Sequence, residues 1–155
     1  MRLCVCTADD EEYGRLSSAF DTVCIAAGYG LTCVHCTTGE DFYARHFKTP
    51  FDVVASCLAG ASGQEVVLWV KERTPDCRVL WITSDQVFGA AAFRTEVEEF
   101  LTRPYTDDQL AQSVNRCLFG KRRPPKGEID RDICNRAPPT FWTRWKRRIA
   151  NIFHL

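Results

Sequence analysis

The chain has 155 residues, 45% of them hydrophobic, which is enough for one compact domain with an appendage and too apolar for a disordered protein. Its first residues lack the apolar run of a signal peptide, and no stretch reaches the ~20 apolar residues of a membrane span, so we expect a cytoplasmic protein. Residues 1–119 hold 10 basic and 17 acidic residues, whereas residues 120–155 hold 10 basic and 3 acidic ones. Such a basic tail on an acidic body favours binding to an acidic partner, anionic lipid or nucleic acid.

Five strand–helix pairs are predicted along residues 1–119. The strands are predicted over 2–6, 31–36, 51–57, 77–83 and 98–102, and the helices over 8–28, 37–47, 62–75, 84–93 and 106–119. Capping residues precede three of the helices, namely Asp9 or Asp10, Ser84 or Asp85, and Thr106. The strands are apolar runs without clean alternation, which is typical of strands buried on both faces. Strict alternation of strands and helices predicts an α/β fold with a parallel sheet covered on both sides.

The nine cysteines lie mostly within apolar runs, so we expect them to be reduced and to fill the core. The pair Cys33 and Cys36 has zinc-like spacing, but no second such pair follows, and strand positions three apart point to opposite faces. The histidines His35, His46 and His154 form no pattern of nucleophilic catalysis and are expected to be ordinary.

Three stretches form a recognisable combination. They are "WITS" at 81–84, "VEEFLTRPY" at 97–105, and the acidic pair Asp9 and Asp10 after the first strand. Together they resemble the receiver domain of bacterial two-component response regulators, which act in phosphorelay signalling. The stretches 82–93 and 98–110 are most similar to the receivers of LytTR-type regulators. The resemblance covers residues 1–119 and implies a flavodoxin-like fold of five βα units, with a parallel sheet in the order 2-1-3-4-5.

The resemblance also implies a site at the carboxyl ends of the strands. In such receivers an aspartate at the end of the third strand accepts a phosphoryl group, and a hydroxyl and a lysine from the next two strands contact it. In this chain Cys57 falls at the acceptor position, Thr83 at the hydroxyl position and Arg103 at the lysine position, followed by Pro104. Phe100 falls at the position of an aromatic residue that moves inward when such a receiver is phosphorylated.

The metal position of such receivers is matched less closely. Asp9 and Asp10 come one or two residues later than the family's acidic pair, and Thr7 and Ala8 could occupy its positions instead. Without a third carboxylate an Mg²⁺ site would be weak, so helix capping is the favoured role for the two aspartates. Arg103 could then pair with Asp9 or Asp10 in place of a metal ion.

The phosphoacceptor position is therefore interpreted as vacated, because neither Ser56 nor Cys57 can form an acyl phosphate. The loop that follows is also about two residues shorter than is usual in the family. The favoured hypothesis is a pseudoreceiver, which is not an enzyme and regulates by protein–protein contact. The alternative is a phosphorelay receiver with an atypical acceptor or input. Cys57 itself could be a thiolate activated by Arg103, although a buried, inert thiol is favoured.

The tail is predicted to comprise a basic, proline-rich linker over 120–139 and a basic amphipathic helix over 140–155. One face of this helix would carry Phe141, Trp142, Trp145, Ile149, Ile152 and Phe153, and the opposite face would carry Arg144, Arg147 and Arg148. Such a helix favours a protein partner or self-association first, an anionic membrane second and nucleic acid third, with docking on its own domain as the simplest alternative. A third functional hypothesis is thus a membrane- or nucleic-acid-targeted effector.

Overall fold

The structure, a computed structural model, describes residues 1–120, so the predicted linker beyond its first residue Gly120 and the predicted amphipathic helix lie outside the described residues. Five parallel strands form one sheet in the order β2-β1-β3-β4-β5, which confirms the predicted fold class and strand order. The strands are β1 (Arg2–Cys6), β2 (Thr32–Cys36), β3 (Val53–Ser56), β4 (Arg78–Thr83) and β5 (Glu99–Thr102). The helices are α1 (Asp10–Ala26), α2 (Gly39–Lys48), α3 (Gly60–Arg73), α4 (Gly89–Arg94) and α5 (Asp107–Phe119), with a 3₁₀ turn at Gln86–Phe88 before α4.

Local capping residues set the start of several helices. The Asp9 carboxylate accepts hydrogen bonds from the first backbone N–H groups of α1, so Asp9 rather than Asp10 is the cap. Thr106 caps α5 as predicted and forms a reciprocal capping box with Gln109. These caps satisfy N–H groups that have no partner within the helix.

Helix α3 begins at Gly60, two residues before the predicted start, because the chain turns sharply after β3. Gly60 has a φ of +58°, a conformation that glycine adopts without strain. A Cβ atom at Gly63 would lie 2.3 Å from the Leu58 carbonyl oxygen, so glycine allows the first turn of α3 to pack directly on the loop. The Ser56 hydroxyl donates to the Gly63 carbonyl at 2.9 Å and fixes this contact.

The fourth predicted helix is divided into the 3₁₀ turn and the short helix α4. Asp85 caps the turn by accepting a hydrogen bond from the Val87 N–H at 3.0 Å. The Phe88 ring then turns toward Trp81 of β4, with 5.5 Å between ring centroids. This inward packing anchors the turn on the sheet and leaves only Gly89–Arg94 for α4.

The sheet is buried on both faces by side chains that alternate along its strands. Helices α1 and α5 cover one face, where Leu16, Phe20, Leu110 and Val114 pack against Leu3, Val5, Leu80 and Ile82. On the other face, Phe42 of α2 packs edge-on against Trp69 of α3. None of the eight described cysteines forms a disulfide, and seven of them are buried, as expected for core-filling thiols. In residues 1–120 no helix is long and apolar enough to cross a membrane.

His46 of α2 is fully buried in this second layer, which the prediction of an ordinary histidine did not anticipate. Its Nδ1 accepts a hydrogen bond from the Phe51 N–H at 3.2 Å, and its Nε2 lies 2.9 Å from the Thr74 hydroxyl. Burial, aided by the nearby charge of Arg2, lowers the pKa of His46 to about 4. The ring is therefore neutral, with the proton on Nε2.

Candidate functional site

The carboxyl ends of the strands meet at one edge of the sheet, which we call the carboxyl edge. Cys57 follows β3 there, and its N–H donates to the carbonyl of Cys6 at the end of β1 at 2.8 Å. Arg103 follows β5, and its N–H donates to the carbonyl of Thr83 at the end of β4 at 2.9 Å. The sheet register thus brings Cys57, Thr83 and Arg103 to the same edge, where the sequence predicts a site.

The Arg103 guanidinium is the central group at this edge. Its Nε and Nη2 donate to the two carboxylate oxygens of Glu12, at 2.9 and 2.8 Å. Nη2 also donates to the carbonyl oxygen of Cys57 at 2.8 Å, and Nη1 lies 3.4 Å from the Ser84 hydroxyl. Such a two-pronged contact uses the planar geometry of arginine, which the ammonium group of a lysine could not reproduce.

Glu12 is held by two further donors. The Tyr105 hydroxyl donates to its Oε1 at 3.0 Å, and the Thr7 hydroxyl donates to its Oε2 at 3.1 Å. The Glu12 side chain is only 9% exposed and that of Arg103 is 25% exposed. Both carboxylate oxygens are fully occupied, so the pair is a compact, largely dehydrated unit that joins α1 to β3 and β5.

Burial and the charge of Glu12 favour the neutral forms of the Cys57 thiol and the Tyr105 hydroxyl at this edge. Burial raises the pKa of the Cys57 thiol well above its ordinary value, and the charge of Glu12 adds to this effect. Arg103 acts in the opposite direction but does not overcome it. Burial and Glu12 likewise raise the pKa of the Tyr105 hydroxyl. With a side chain this buried and a thiol held protonated, Cys57 is poorly suited to nucleophilic chemistry.

The prediction that Arg103 pairs with Asp9 or Asp10 is wrong, because its guanidinium pairs with Glu12 instead. The Asp9 carboxylate is turned toward the N-terminus of α1, where it caps the helix. The Asp10 side chain points outward and lies 3.9 Å from Nδ1 of His35. Glu12 lies in the first turn of α1 on the side that faces the sheet, and so it reaches the guanidinium.

An open cleft of about 550 Å³ lies beside the pair. It is lined by Asp9, Glu11, Glu12, Arg15, Ser84, Arg103, Pro104 and Tyr105. Arg15 lies over the Tyr105 ring at 4.8 Å and pairs with Asp107 at 2.8 Å. The cleft therefore includes Asp9, Arg103 and Pro104 of the predicted pocket, whereas Asp10 and Thr83 are not among its lining residues.

Phe100, at the predicted switch position, is half-buried on β5. Its ring meets Trp81 of β4 edge-on, with 5.6 Å between centroids. Gly89 at the start of α4 adjoins the same ring, and a Cβ there would make ordinary van der Waals contact with Phe100 Cε1 at 3.6 Å. Arg103 and Pro104, three and four residues further on, are joined by a cis peptide bond.

The residues at the carboxyl edge do not fit the Mg²⁺ that the receiver resemblance implies. A magnesium site needs free, hard oxygen ligands in near-octahedral geometry. Glu12 is fully engaged, and Asp9 accepts two backbone hydrogen bonds. Within residues 1–120 no three histidine, cysteine or carboxylate side chains converge to hold a metal ion.

Glu12, Tyr105 and the positioning role of Thr7 were missed by the sequence prediction. In the run "DDEE" at 9–12 the acids were interpreted as charges in the first turn of a helix. A usable signal was present, because Glu12 precedes Leu16 and Phe20 at intervals of four and so shares their buried face. A carboxylate on the apolar face of a helix needs a buried partner, because burying an unpaired charge is unfavourable.

Comparison of the sequence with known proteins gave no matching family model and no matching curated protein.

Solved structures of receiver domains are similar to this chain. The response regulatory domain of mrkE from Klebsiella pneumoniae superposes with a TM-score of 0.64 at 14% identity, covering 76% of this chain and 95% of that one. The BeF3-activated receiver domain of DrrB gives 0.62 at 22% identity, with 76% and 96% covered. An orphan response regulator of H. pylori gives 0.61 at 16% identity, with 77% and 97% covered. At identities this low, the structural similarity establishes the shared receiver fold alone.

Proposed function

We propose that the protein is a response-regulator-like signalling protein, a pseudoreceiver, which acts through contacts with other proteins and without aspartyl phosphorylation. The observation that supports this most directly is the Arg103 guanidinium, which is bound to Glu12 and to the Cys57 carbonyl. Phosphoryl transfer to a receiver needs a carboxylate acceptor and charge neutralisation around it. Here the end of β3 supplies a thiol in place of the carboxylate acceptor. The cation that would neutralise a phosphoryl group, Arg103, is already bound to Glu12. The role we assign is regulatory and not enzymatic, in two-component-type or transcriptional regulation.

The alternative is a phosphorelay receiver with Cys57 as an atypical acceptor. This alternative ranks lower, because attack on a phosphodonor needs a thiolate. The Cys57 side chain is buried and its pKa is raised well above the ordinary value. Its neighbour Ser56 is also buried, with its hydroxyl committed to the Gly63 carbonyl.

We expect no stable phosphorylation of the full chain. Incubation with acetyl phosphate, or with beryllofluoride and Mg²⁺, should leave the intact mass and the amide NMR spectrum unchanged. The DrrB receiver domain, which has been crystallised in a BeF3-activated form, is the positive control. A variant Cys57→Asp should also stay unmodified, because Arg103 remains bound to Glu12 and the geometry of in-line transfer is not rebuilt.

The matched control for that variant is Cys57→Ser, which changes the same side chain without adding a carboxylate. A saturable, Mg²⁺-dependent spectral change centred on the end of β3 would contradict the pseudoreceiver proposal. Phosphorylation of Cys57→Asp alone would show that the acceptor was the only part missing.

The basic tail supports a second proposal, in which residues 140–155 bind an apolar surface of a protein partner or of another copy. The observation is a sequence pattern: six large apolar residues at helical spacing, with arginines opposite. Burying each large side chain is worth roughly 1.5–3 kcal/mol, so full hydration of such a face would be unfavourable. Lipid and nucleic acid are the lower-ranked occupants.

Tryptophan fluorescence ranks these occupants, because Trp142 and Trp145 lie on the predicted apolar face. We expect the emission of Trp142 and Trp145 to shift to the blue as the concentration of the full chain alone is raised, with no further shift on adding neutral or anionic vesicles and no retention on duplex DNA. The double variant Trp142→Phe/Trp145→Phe reports the background from Trp69 and Trp81, which are buried. A blue shift with anionic vesicles alone would promote lipid to first place. Emission that stays red in every mixture, without helix signal, would contradict an apolar occupant.

A further inference from the structure

The two outer strands of the sheet differ in what protects them from pairing with a further strand. Within the described residues, β2 and β5 each have a single neighbouring strand. The strand β5 contains Glu99 and is followed by Arg103 and Pro104, and charged residues and prolines of this kind protect an edge from further pairing. The strand β2 contains no aspartate, glutamate, lysine, arginine or proline. We call the side of Thr32–Cys36 that faces away from β1 the β2 edge.

The β2 edge lies within a long uncharged run. Residues 22–39 contain no aspartate, glutamate, lysine or arginine, although such residues make up 26% of the chain. In β2, Thr32 is exposed, and Cys33, Val34 and His35 are half-buried. Residues 1–119 hold 17 acidic and 10 basic residues, an excess that would repel a second copy over much of the surface. The side chains of β2 add nothing to that repulsion.

The backbone of β2 presents donors and acceptors at this edge. The N–H of Thr32 and the carbonyl of Cys36 form hydrogen bonds on the side of β1, at 2.9 and 3.0 Å. Successive residues of a strand direct their backbone groups to opposite sides. The N–H and carbonyl groups of Cys33 and His35 therefore point outward from the sheet.

Contacts on the side of α1 hold the β2 edge in place. The His35 ring stacks on the ring of Tyr13, with 4.1 Å between centroids. Its Nε2 donates to the carbonyl of Thr7 at 2.9 Å. A strand that is already fixed loses little conformational freedom when it binds.

We propose that the β2 edge pairs with the β2 edge of a second copy of this chain, antiparallel and about a two-fold axis at Val34. This axis places Cys33 opposite the partner subunit's His35, and their outward groups form about four interstrand hydrogen bonds. Val34 then lies opposite the partner subunit's Val34, and two β-branched side chains pair favourably at such a position. The two sheets become one continuous sheet. The inference goes beyond the proposed function, because it does not depend on whether the domain can be phosphorylated.

A second copy fits the β2 edge better than a lipid surface or an extended peptide does. The hydrocarbon of a membrane offers no partners for the outward N–H and carbonyl groups, and burying such groups without hydrogen bonds is unfavourable. An extended peptide would have to be ordered on binding, whereas the β2 strand of another copy is already formed. The edge is also uncharged, so two copies meet there without like charges on the paired strands.

Sedimentation velocity of the full chain over a concentration series, under reducing conditions, measures this association. We expect a dissociation constant on the order of 10 µM, because one short strand per copy is smaller than a standard interface. Val34→Lys should weaken dimerisation by at least about tenfold, since it places two ammonium groups against each other at the axis. The matched control is Val87→Lys, at a valine that is 73% exposed and lies outside the sheet. It should leave the dissociation constant unchanged.

Cross-linking through an introduced thiol tests the register of the pairing. In Val34→Cys the two substituted residues would lie opposite each other, with Cα atoms about 4.5 Å apart, which a disulfide can span. Diamide is the oxidant: it takes up the two thiol hydrogens, one from each copy, as the S–S bond forms. Thr37→Cys is the matched control, because its two copies would lie roughly 20 Å apart across the axis. We expect Val34→Cys to form a linked dimer at least about tenfold faster than Thr37→Cys or the unsubstituted chain, and peptide mapping locates the bond.

A chain that stays monomeric at all concentrations would overturn the inference. A dimer that keeps its dissociation constant in Val34→Lys would also overturn it, as would equal cross-linking rates for Val34→Cys and Thr37→Cys. Circular dichroism establishes that each variant is folded, and if Val34→Lys does not fold, the cross-linking rates decide. These outcomes are independent of the phosphodonor experiment. A chain that dimerises as expected and is phosphorylated would overturn the pseudoreceiver proposal alone, and an unmodified, strictly monomeric chain would overturn the pairing of the β2 edge alone.

Discussion

Replacing Arg103 with alanine is expected to lower the free energy of unfolding by about 3 kcal/mol. The substitution leaves Glu12 as a buried carboxylate whose remaining donors are the hydroxyls of Tyr105 and Thr7. Removing one partner of a buried ion pair costs about 3–5 kcal/mol. The lower end applies here, because 25% of the Arg103 side chain is exposed and water can enter the adjoining cleft. Urea denaturation at neutral pH measures the change.

The opposite substitution, Glu12→Gln, should cost less than Arg103→Ala. It leaves the charge on the more exposed partner, and the guanidinium keeps its hydrogen bond to the Cys57 carbonyl. The double variant should be more stable than Arg103→Ala, since no unpaired carboxylate remains. The matched control Arg45→Ala breaks an exposed pair with Asp41 and should cost about 0.5 kcal/mol or less. An effect of Arg103→Ala as small as that of Arg45→Ala would show that the central pair contributes little.

Acidification from pH 6.5 to 4 is expected to remove up to about 3 kcal/mol of stability through His46 alone. The folded pKa of about 4 lies below the ordinary histidine value near 6.5. The unfolded chain therefore binds more protons between these values, so stability is fully present above about pH 6.5 and declines as the pH falls toward 4. The structural cause is that Nδ1 already accepts a hydrogen bond from the Phe51 N–H and cannot take a proton without losing it.

The variant His46→Leu isolates this effect from the titration of carboxyl groups. Both proteins contain the same carboxylates, so the difference between their unfolding free energies reports His46. We expect His46→Leu to be less stable at pH 7, because the Phe51 N–H and the Thr74 hydroxyl lose their partner, and the difference should shrink as the pH falls to 4.5. A difference that stays constant across this range would mean that His46 titrates at the same pH in both states.

The sheet and its order could be predicted because their signals are local or repeat along the chain. The apolar run of β4 and the cap of α5 at Thr106 are each visible within a few residues. Strict alternation of such elements leaves few topologies, and the resemblance in 82–93 and 98–110 selects one of them. The meeting of Cys57, Thr83 and Arg103 follows from the same order, since the carboxyl ends of parallel strands share an edge.

The features that sequence reasoning missed depend on contacts between distant parts of the chain. The early start of α3 reflects the close approach of Gly63 to Leu58, which no helix-start rule contains. The choice of Glu12 over Asp9 as the partner of Arg103 depends on how α1 is rotated against the sheet. An acid can cap a helix or face its core, and only the packed structure distinguishes the two.

The bond between Arg103 and Glu12 also has a consequence for timing. An acyl phosphate is made and hydrolysed, so the activated state of a receiver that carries one lasts only as long as that bond. A guanidinium and a carboxylate of the same chain are always present together, and the guanidinium keeps its charge at every physiological pH. A domain held by this pair therefore has no internal reaction that limits how long its state lasts. Under the proposed function, the amount of protein in the cell becomes the signal, and synthesis and degradation set its duration.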